Sequence, residues 1–387
     1  IRAATTDEVG AVIDAIDGDQ PTIGVGWLRD YPEVTARLHS RGFARHTFMC
    51  GQSGSGKTYT TGVLFERLLA HSTLPVMVLD PNSDHVHLGS LADPDDPAPE
   101  AAFYRRVMDS VSVSRARGLD STFTLCVDFS DLEPEVQAAL LRLDPIADLD
   151  DYNALLQVTS GLGETYSITD VAHASGAAET SAGLARRIEN LRLDRWGLWK
   201  RPGETSATEA DAISRRFVVA DLGSLTTPDE RTAVALAVLG NRWRARRNRQ
   251  PVLLAIDEAH NVLPASTDNP LLRAASETGV LIAGEGRKFG LHLFIASQRP
   301  GKVHPNVISQ CDNLILMRMN GAGDIANLET QFSHVPASLL RQSLGFGLGQ
   351  ALFAGRIAPV PLLAQVGQRL TPEGGSDVPT TWSAPPA

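Results

Sequence analysis

Short apolar runs bounded by turn residues recur along the chain, and they alternate with longer stretches in which apolar residues return every three or four positions. The runs at 46–50, 75–79, 123–129, 217–220, 252–256, 291–296 and 313–317 read as strands, followed by a closing pair at 350–353 and 356–361. Val252-Leu253-Leu254-Ala255-Ile256 is apolar at every position, the mark of a strand covered on both faces. Strands alternating with helical patterns predict an α/β fold, a mainly parallel sheet layered by helices.

Between 91 and 215 the texture changes: Leu, Ala, Arg and Asp dominate, which predicts an inserted helical subdomain. Its borders at 93–99 and 201–209 are rich in turn residues. The expected organisation is a core in two parts, 1–90 and 216–370, separated by the insertion 91–215 and followed by an extended C-terminal arm, 371–387, rich in Pro, Gly and Thr.

A chain of 387 residues has ample apolar side chains for a buried core. Cys50, Cys126 and Cys311 lie far apart, with neither metal-ligand nor redox spacing, so a reducing cytoplasm is the expected compartment. No apolar stretch approaches the roughly 20 residues needed to span a bilayer, and 1–9 lacks the layout of a secretory signal. A net charge of −10 argues against a surface that coats itself with nucleic acid, yet it leaves room for a few cationic loops, because net charge does not report a local field.

Gly51-Gln52-Ser53-Gly54-Ser55-Gly56-Lys57-Thr58 satisfies G-x-x-x-x-G-K-[ST], a match expected by chance roughly once in a hundred chains of this size. A strand leads in and a helix over 59–70 leads out, with Leu64 and Leu68 one turn apart on one face. That order aims backbone N–H groups and a helix N-terminus at one point, where an anion is stabilised. Gly51, Ser53, Gly54, Ser55, Gly56, Lys57, Thr58 and Tyr59 are thus the candidate residues for binding ATP, with Lys57 reaching the β- and γ-phosphates and the Thr58 hydroxyl joining a Mg²⁺ shell.

The apolar strand 252–256 ends in Asp257-Glu258, at the carboxyl edge where open α/β sheets bind ligands. Asp257 is the candidate second holder of Mg²⁺, and Glu258 the candidate general base. The letters Asp257-Glu258-Ala259-His260 spell the DEAH box of two-lobed helicases, but too little chain follows for a second lobe. Gln298, at the end of the next apolar strand, is a candidate sensor that orients the attacking water. In Glu285-Gly286-Arg287-Lys288-Phe289-Gly290, Arg287 is a candidate arginine finger donated across a subunit interface, with Arg45 as a second candidate. The basic cluster from Arg242 to Arg249 reads as a solvated helix end.

With these motifs the sequence resembles the HerA branch of the HerA/FtsK hexameric ATPases. The resemblance runs from Ile23-Gly24 through the phosphate loop, Leu79-Asp80-Pro81, Ile256 to His260, Gly286-Arg287-Lys288-Phe289-Gly290 and Ser297-Gln298-Arg299-Pro300, into Glu373-Gly374-Gly375 and Trp382. It implies a RecA-like P-loop core of the ASCE type with an inserted helical bundle, a homo-hexamer with ATP at each subunit interface, duplex DNA in a central channel reached by loops such as that of Lys302, and a partner nuclease or antiphage defence effector. The β-barrel typical of HerA has no counterpart in 1–19, which is too short. Two other readings accompany it: an export or conjugation motor of the same superfamily, and a ring scaffold that binds ATP to activate a partner.

Overall fold

A computed structural model describes residues 2–177, 179–207 and 216–375 of the chain. Among them, twelve strands form one sheet in the order β2-β1-β12-β11-β10-β3-β9-β8-β4-β7-β5-β6. In chain order these are β1 (Thr22–Leu28), β2 (Tyr31–His39), β3 (Thr47–Cys50), β4 (Val76–Asp80), β5 (Val111–Arg115), β6 (Phe123–Thr124), β7 (Phe217–Asp221), β8 (Val252–Ile256), β9 (Leu291–Ser297), β10 (Asn313–Leu316), β11 (Gln350–Gly355) and β12 (Ala358–Val366). Every pairing from β10 to β6 is parallel. From β10 outward to β2 each is antiparallel. The sheet is therefore mainly parallel, as the strand pattern predicts.

The central strands are buried on both faces, and alternate residues serve two cores. Phe48, Met77, Leu254, Ile295 and Leu316 face one side, under α8 (Pro228–Arg244) and α9 (Pro270–Glu285). Met49, Val78, Leu253, Phe294 and Ile315 face the other, under α2 (Lys57–His71). On α2, Leu64 and Leu68 are fully buried, and Phe65 meets Phe217 and Phe294 with ring centroids 5.5 and 5.6 Å apart. Truncating such a ring costs about 3–5 kcal/mol.

Three elements depart from the sequence reading. The chain before residue 46 forms α1 (Thr6–Asp17), closed by a Thr5–Glu8 capping box, and the hairpin β1–β2, which joins the sheet beside β12. Ile23, Val25, Val34, Ala36 and Leu38 point inward at every second position, so no continuous apolar run announces these strands. The run 123–129 shortens to β6, beyond which Val127 only bridges Trp199. The strand beside β7 is instead β5, Val-Ser-Val-Ser-Arg, whose serines hide it from an apolar-run search.

The region 91–215 thus supplies two sheet strands as well as helices: α3 (Pro99–Tyr104), α4 (Pro134–Leu140), α5 (Leu149–Gly161), α6 (Ile168–Gly176) and α7 (Ala182–Leu191). Leu155, Val171, Leu184 and Ile188 from these helices belong to the same core as one face of the sheet. The second border, 201–209, and the C-terminal arm, 371–387, are described only as far as 207 and 375, so Trp382 lies outside the described residues. The basic end of α8 is not wholly solvated. Arg242 is buried, Arg244 lies 3.3 Å from Glu133, and Arg246 stacks 4.2 Å over the Trp243 ring.

Candidate functional site

The turn from β3 into α2 runs over Gly51 to Gly56, and its glycines are required by geometry. Gly54 and Gly56 have φ of +71° and +90°, and a Cβ on Gly51 would stand 2.7 Å from both Ser55 Oγ and the Met317 side chain. Arg318, just past β10, donates from Nη2 to the Gly54 carbonyl at 3.0 Å and holds the loop from the neighbouring strand. The free N–H groups of the first turn of α2 therefore converge on the mouth of the loop.

β8 is separated from β3 by β9 alone, so Asp257 and Glu258 emerge beside this loop. Lys57 Nζ lies 2.5 Å from Asp257 Oδ1 and 3.1 Å from Glu258 Oε1, with all three side chains almost wholly buried. Burial opposes the charge on Lys57, but the two carboxylates outweigh it and hold its pKa above the ordinary lysine value. Burial likewise opposes ionisation of Asp257, and Lys57 and His85 overcome it, keeping the carboxyl below its usual range.

Glu258 occupies the left-handed region, with φ +42° and ψ +48°, a conformation that costs a side-chain-bearing residue about 1–2 kcal/mol. The bend turns its carboxylate back toward the loop. Gln298, one residue past β9, donates from Nε2 to Glu258 Oε1 at 2.6 Å. His260 Nδ1 lies 3.3 Å from Glu258 Oε2 and 3.1 Å from Ser297 Oγ. Burial lowers the His260 pKa, with the Glu258 charge opposing it.

Thr58, on the first turn of α2, donates to Asp84 Oδ2 at 3.4 Å. Asp84 lies on a loop pinned by Asp80, whose carboxylate accepts from the backbone N–H groups of Asn82, Asp84 and His85 at 3.3, 3.1 and 2.8 Å. Burial, then the nearby Asp257 charge, pushes the Asp84 pKa up to about 6. Burial raises Asp80 to about 7. A cavity of about 650 Å³ opens over these groups, lined in part by Gly54, Lys57, Thr58, Tyr59, Asp84 and Gln298.

The donor set fits Mg²⁺ and a polyphosphate. Asp257 Oδ2 is buried without a hydrogen-bond partner, while the Thr58 hydroxyl and Asp84 add hard oxygen donors alongside. Among the described residues, no group of three or more His, Cys, Asp or Glu could hold a metal ion unaided. This agrees with the habit of Mg²⁺ to bind through one or two carboxylates, water and substrate phosphates.

Arg287 lies elsewhere. It sits in the short turn Gly286–Phe289 that precedes β9, at the end of the sheet opposite Gln298. Its Nη1 is 3.2 Å from Asp312 Oδ2, and Arg45 Nη1, just before β3, is 3.4 Å from the same oxygen. Both candidate finger arginines thus stand outside the pocket of their own chain, joined by one carboxylate. A second cavity, about 850 Å³, opens there and is lined by Arg41, Arg45, Arg356 and Asp312.

Sequence reasoning missed Asp84, Ser297, Arg318 and the role of His260. The DEAH spelling did contain His260, but Asp84 and Arg318 carry no local signal, since only the sheet order brings them to the loop.

Residues 23–234 match the family model described as the central domain of helicase HerA. A probable DNA double-strand break repair helicase HerA of Methanocaldococcus jannaschii is 31% identical over 129 residues, 33% of this chain and 25% of that protein. The DNA double-strand break repair helicase HerA of Saccharolobus solfataricus is 22% identical over 365 residues, 86% of this chain and 66% of that protein. The chain therefore spans between a quarter and about two thirds of these relatives' lengths. Among solved structures, VirB4 of Thermoanaerobacter pseudethanolicus shares the fold with a TM-score of 0.59 at 16% identity, over 91% of this chain and 97% of that one. Among the described residues, no helix is long and apolar enough to cross a membrane.

Proposed function

The chain belongs to the HerA helicase family, and from that premise we propose that it is an ATPase subunit of a hexameric ring that hydrolyses ATP to move duplex DNA. One observation carries the reading: Lys57 meets Asp257 and Glu258 at 2.5 and 3.1 Å although the lysine and the acids are some 200 positions apart.

On nucleotide binding Lys57 exchanges these acids for phosphate oxygens, and the N–H groups from Gly54 to Tyr59 cradle the chain of phosphates. Asp257 and Thr58 would hold Mg²⁺, which when bound would offset the negative charge developing on the phosphate. Glu258, released from Lys57, accepts a proton from the attacking water at its carboxylate. Gln298 and His260, already in contact with that carboxylate, hold its orientation. Arg287 and Arg45 act on the nucleotide of an adjacent subunit, a role supported by their place outside their own pocket. A nuclease or a defence effector is the partner class that the family resemblance suggests.

The test is ATP turnover by the purified chain with and without duplex DNA at several salt concentrations. The reading requires stimulation by DNA that weakens steeply as salt rises. Equal turnover with and without DNA, and no retention of a duplex, would refute the motor. Lys57→Ala abolishes nucleotide binding on this account, and unchanged affinity in calorimetry would remove the site itself.

A further inference from the structure

The cavity continues well past the groups that handle phosphate. Its far walls are the turn Leu348-Gly349 on one side and Glu373-Gly374-Gly375 on the other. The first wall is tied to the phosphate loop: Gly349 N donates to the Ser55 carbonyl at 3.1 Å, and a Cβ on Gly56 would touch Leu348 Cδ1 at 3.5 Å. Leu348 is nevertheless 69% exposed, an apolar side chain standing open beside a polar loop.

The second wall is an extended strap fastened to both α2 and the Asp84 loop. Glu66, fully buried on α2, accepts from Leu370 N at 3.0 Å, Thr371 N at 2.8 Å and Thr371 Oγ1 at 2.7 Å. Arg369, also buried, donates from its backbone N–H to the Tyr59 hydroxyl oxygen at 2.7 Å and from Nη2 to the Asp84 carbonyl at 3.2 Å. Gly374 N donates to the same carbonyl at 3.1 Å, and a Cβ at Gly374 would stand 1.8 Å from Ser83 O. These contacts fix the strap to α2 and to the Asp84 loop. They leave the Glu373 side chain half exposed at the lip of the cavity, with Arg369 Nη1 at 3.9 Å, too far for a hydrogen bond.

We propose that these two walls form a nucleoside subsite: the base lies between Leu348 and the glycine backbone of the strap, and the Glu373 carboxylate accepts hydrogen bonds from the ribose hydroxyls. The inference rests on the ATP reading above, and its direction follows from the loop. Lys57 and Gln298 mark the γ end of the phosphate chain, so the sugar and base leave past Tyr59 toward these walls. A carboxylate facing a ribose edge is a recurrent solution in nucleotide sites, and bonds to a charged acceptor are among the stronger ones.

Calorimetry on the full chain with Mg²⁺ separates the contributions, using ATP, inorganic triphosphate, and the 2′- and 3′-deoxy forms of ATP as probes. The wild type should prefer ATP to inorganic triphosphate and to at least one deoxy form, each by about ten-fold or more. Glu373→Ala should erase the ribose preference while leaving triphosphate affinity unchanged, and Leu348→Ala should weaken ATP and both deoxy forms together. Both positions are exposed enough that melting temperatures should stay at the wild-type value. If triphosphate binds as tightly as ATP, or if Glu373→Ala keeps the full ribose preference, the subsite is refuted while the phosphate site stands. If no probe binds, triphosphate included, both proposals fall.

Discussion

Glu258 carries two burdens at once: a left-handed backbone and a carboxylate hydrogen-bonded to Gln298 while in contact with Lys57 and His260. Backbone strain of this kind persists where the surroundings impose it, and it often marks a working residue. Glu258→Gln should keep ATP binding and lower turnover by about 10²–10⁴-fold, the usual span for a lost general base; single-turnover kinetics read this directly, and near-normal turnover would show that Glu258 is not the base. The strain itself has a separate signature. Glu258→Gly should melt above Glu258→Ala by a margin of about 1 kcal/mol, because only glycine takes φ +42° at little cost. At the other end of the sheet, Arg287→Ala should bind ATP normally yet lose turnover by about 10³-fold or more in the assembled protein. Mixing it with Lys57→Ala subunits then gives the test of action in trans: partial recovery of turnover supports it, and no recovery opposes it.

Among the elements, continuous apolar runs were legible from sequence because a strand buried on both faces leaves no polar position to confuse the pattern, as β8 and β9 illustrate. The phosphate loop was legible because its glycines answer a steric demand that is independent of the rest of the fold. β1, β2 and β5 were not, since each alternates buried residues with glycine, serine or exposed polar ones. Nor could the order of strands be read, and that order is what brings Arg318, Asp84 and the 369–375 strap to the loop. His46 and His292 form a buried pair where β3 and β9 begin. His46, just before β3, accepts from Leu293 N at 2.9 Å through Nδ1. Burial, then the adjacent His292, lowers its pKa to about 4, and burial, then Arg287, does the same to His292. The unfolded chain, with histidine near 6.5, takes up these protons first. The contribution of these histidines to stability is therefore fully present above about pH 6.5 and is lost as pH falls toward 4, by roughly 2 kcal/mol per histidine at pH 5. Asp80 and Asp84, raised to about 7 and 6, act in the opposite direction over the same interval, so the histidine contribution is read as the difference in urea midpoint between pH 7.5 and pH 5 for the wild type against a variant lacking both histidines, and an equal pH dependence of the two proteins would contradict the assignment.

At the scale of the whole molecule, the two cores divide labour across one sheet. Helices α4 to α7 of the insertion share their core with the face that carries α8 and α9, while Ala101, Tyr104 and Val111 join the core on the other face, so the insertion is bound to both sides of the sheet rather than hung from it by linkers. A turnover-driven change at Glu258 or Gln298 therefore meets packed structure on the way to the insertion, which favours movement of the pair as a unit. The acid-lined pocket and the arginine-lined cavity lie at opposite ends of the parallel strands, an arrangement suited to head-to-tail contact between copies of the chain. All of this depends on a single triphosphate site built from distant parts of the sequence. The most direct measurement is an electron-density map of the chain with Mg²⁺ and a non-hydrolysable ATP analogue. The account predicts the terminal phosphate within hydrogen-bond distance of Lys57 Nζ and the metal between Thr58 Oγ1 and Asp257. Analogue density away from the Gly51 to Thr58 loop, or a metal remote from Asp257, would contradict it.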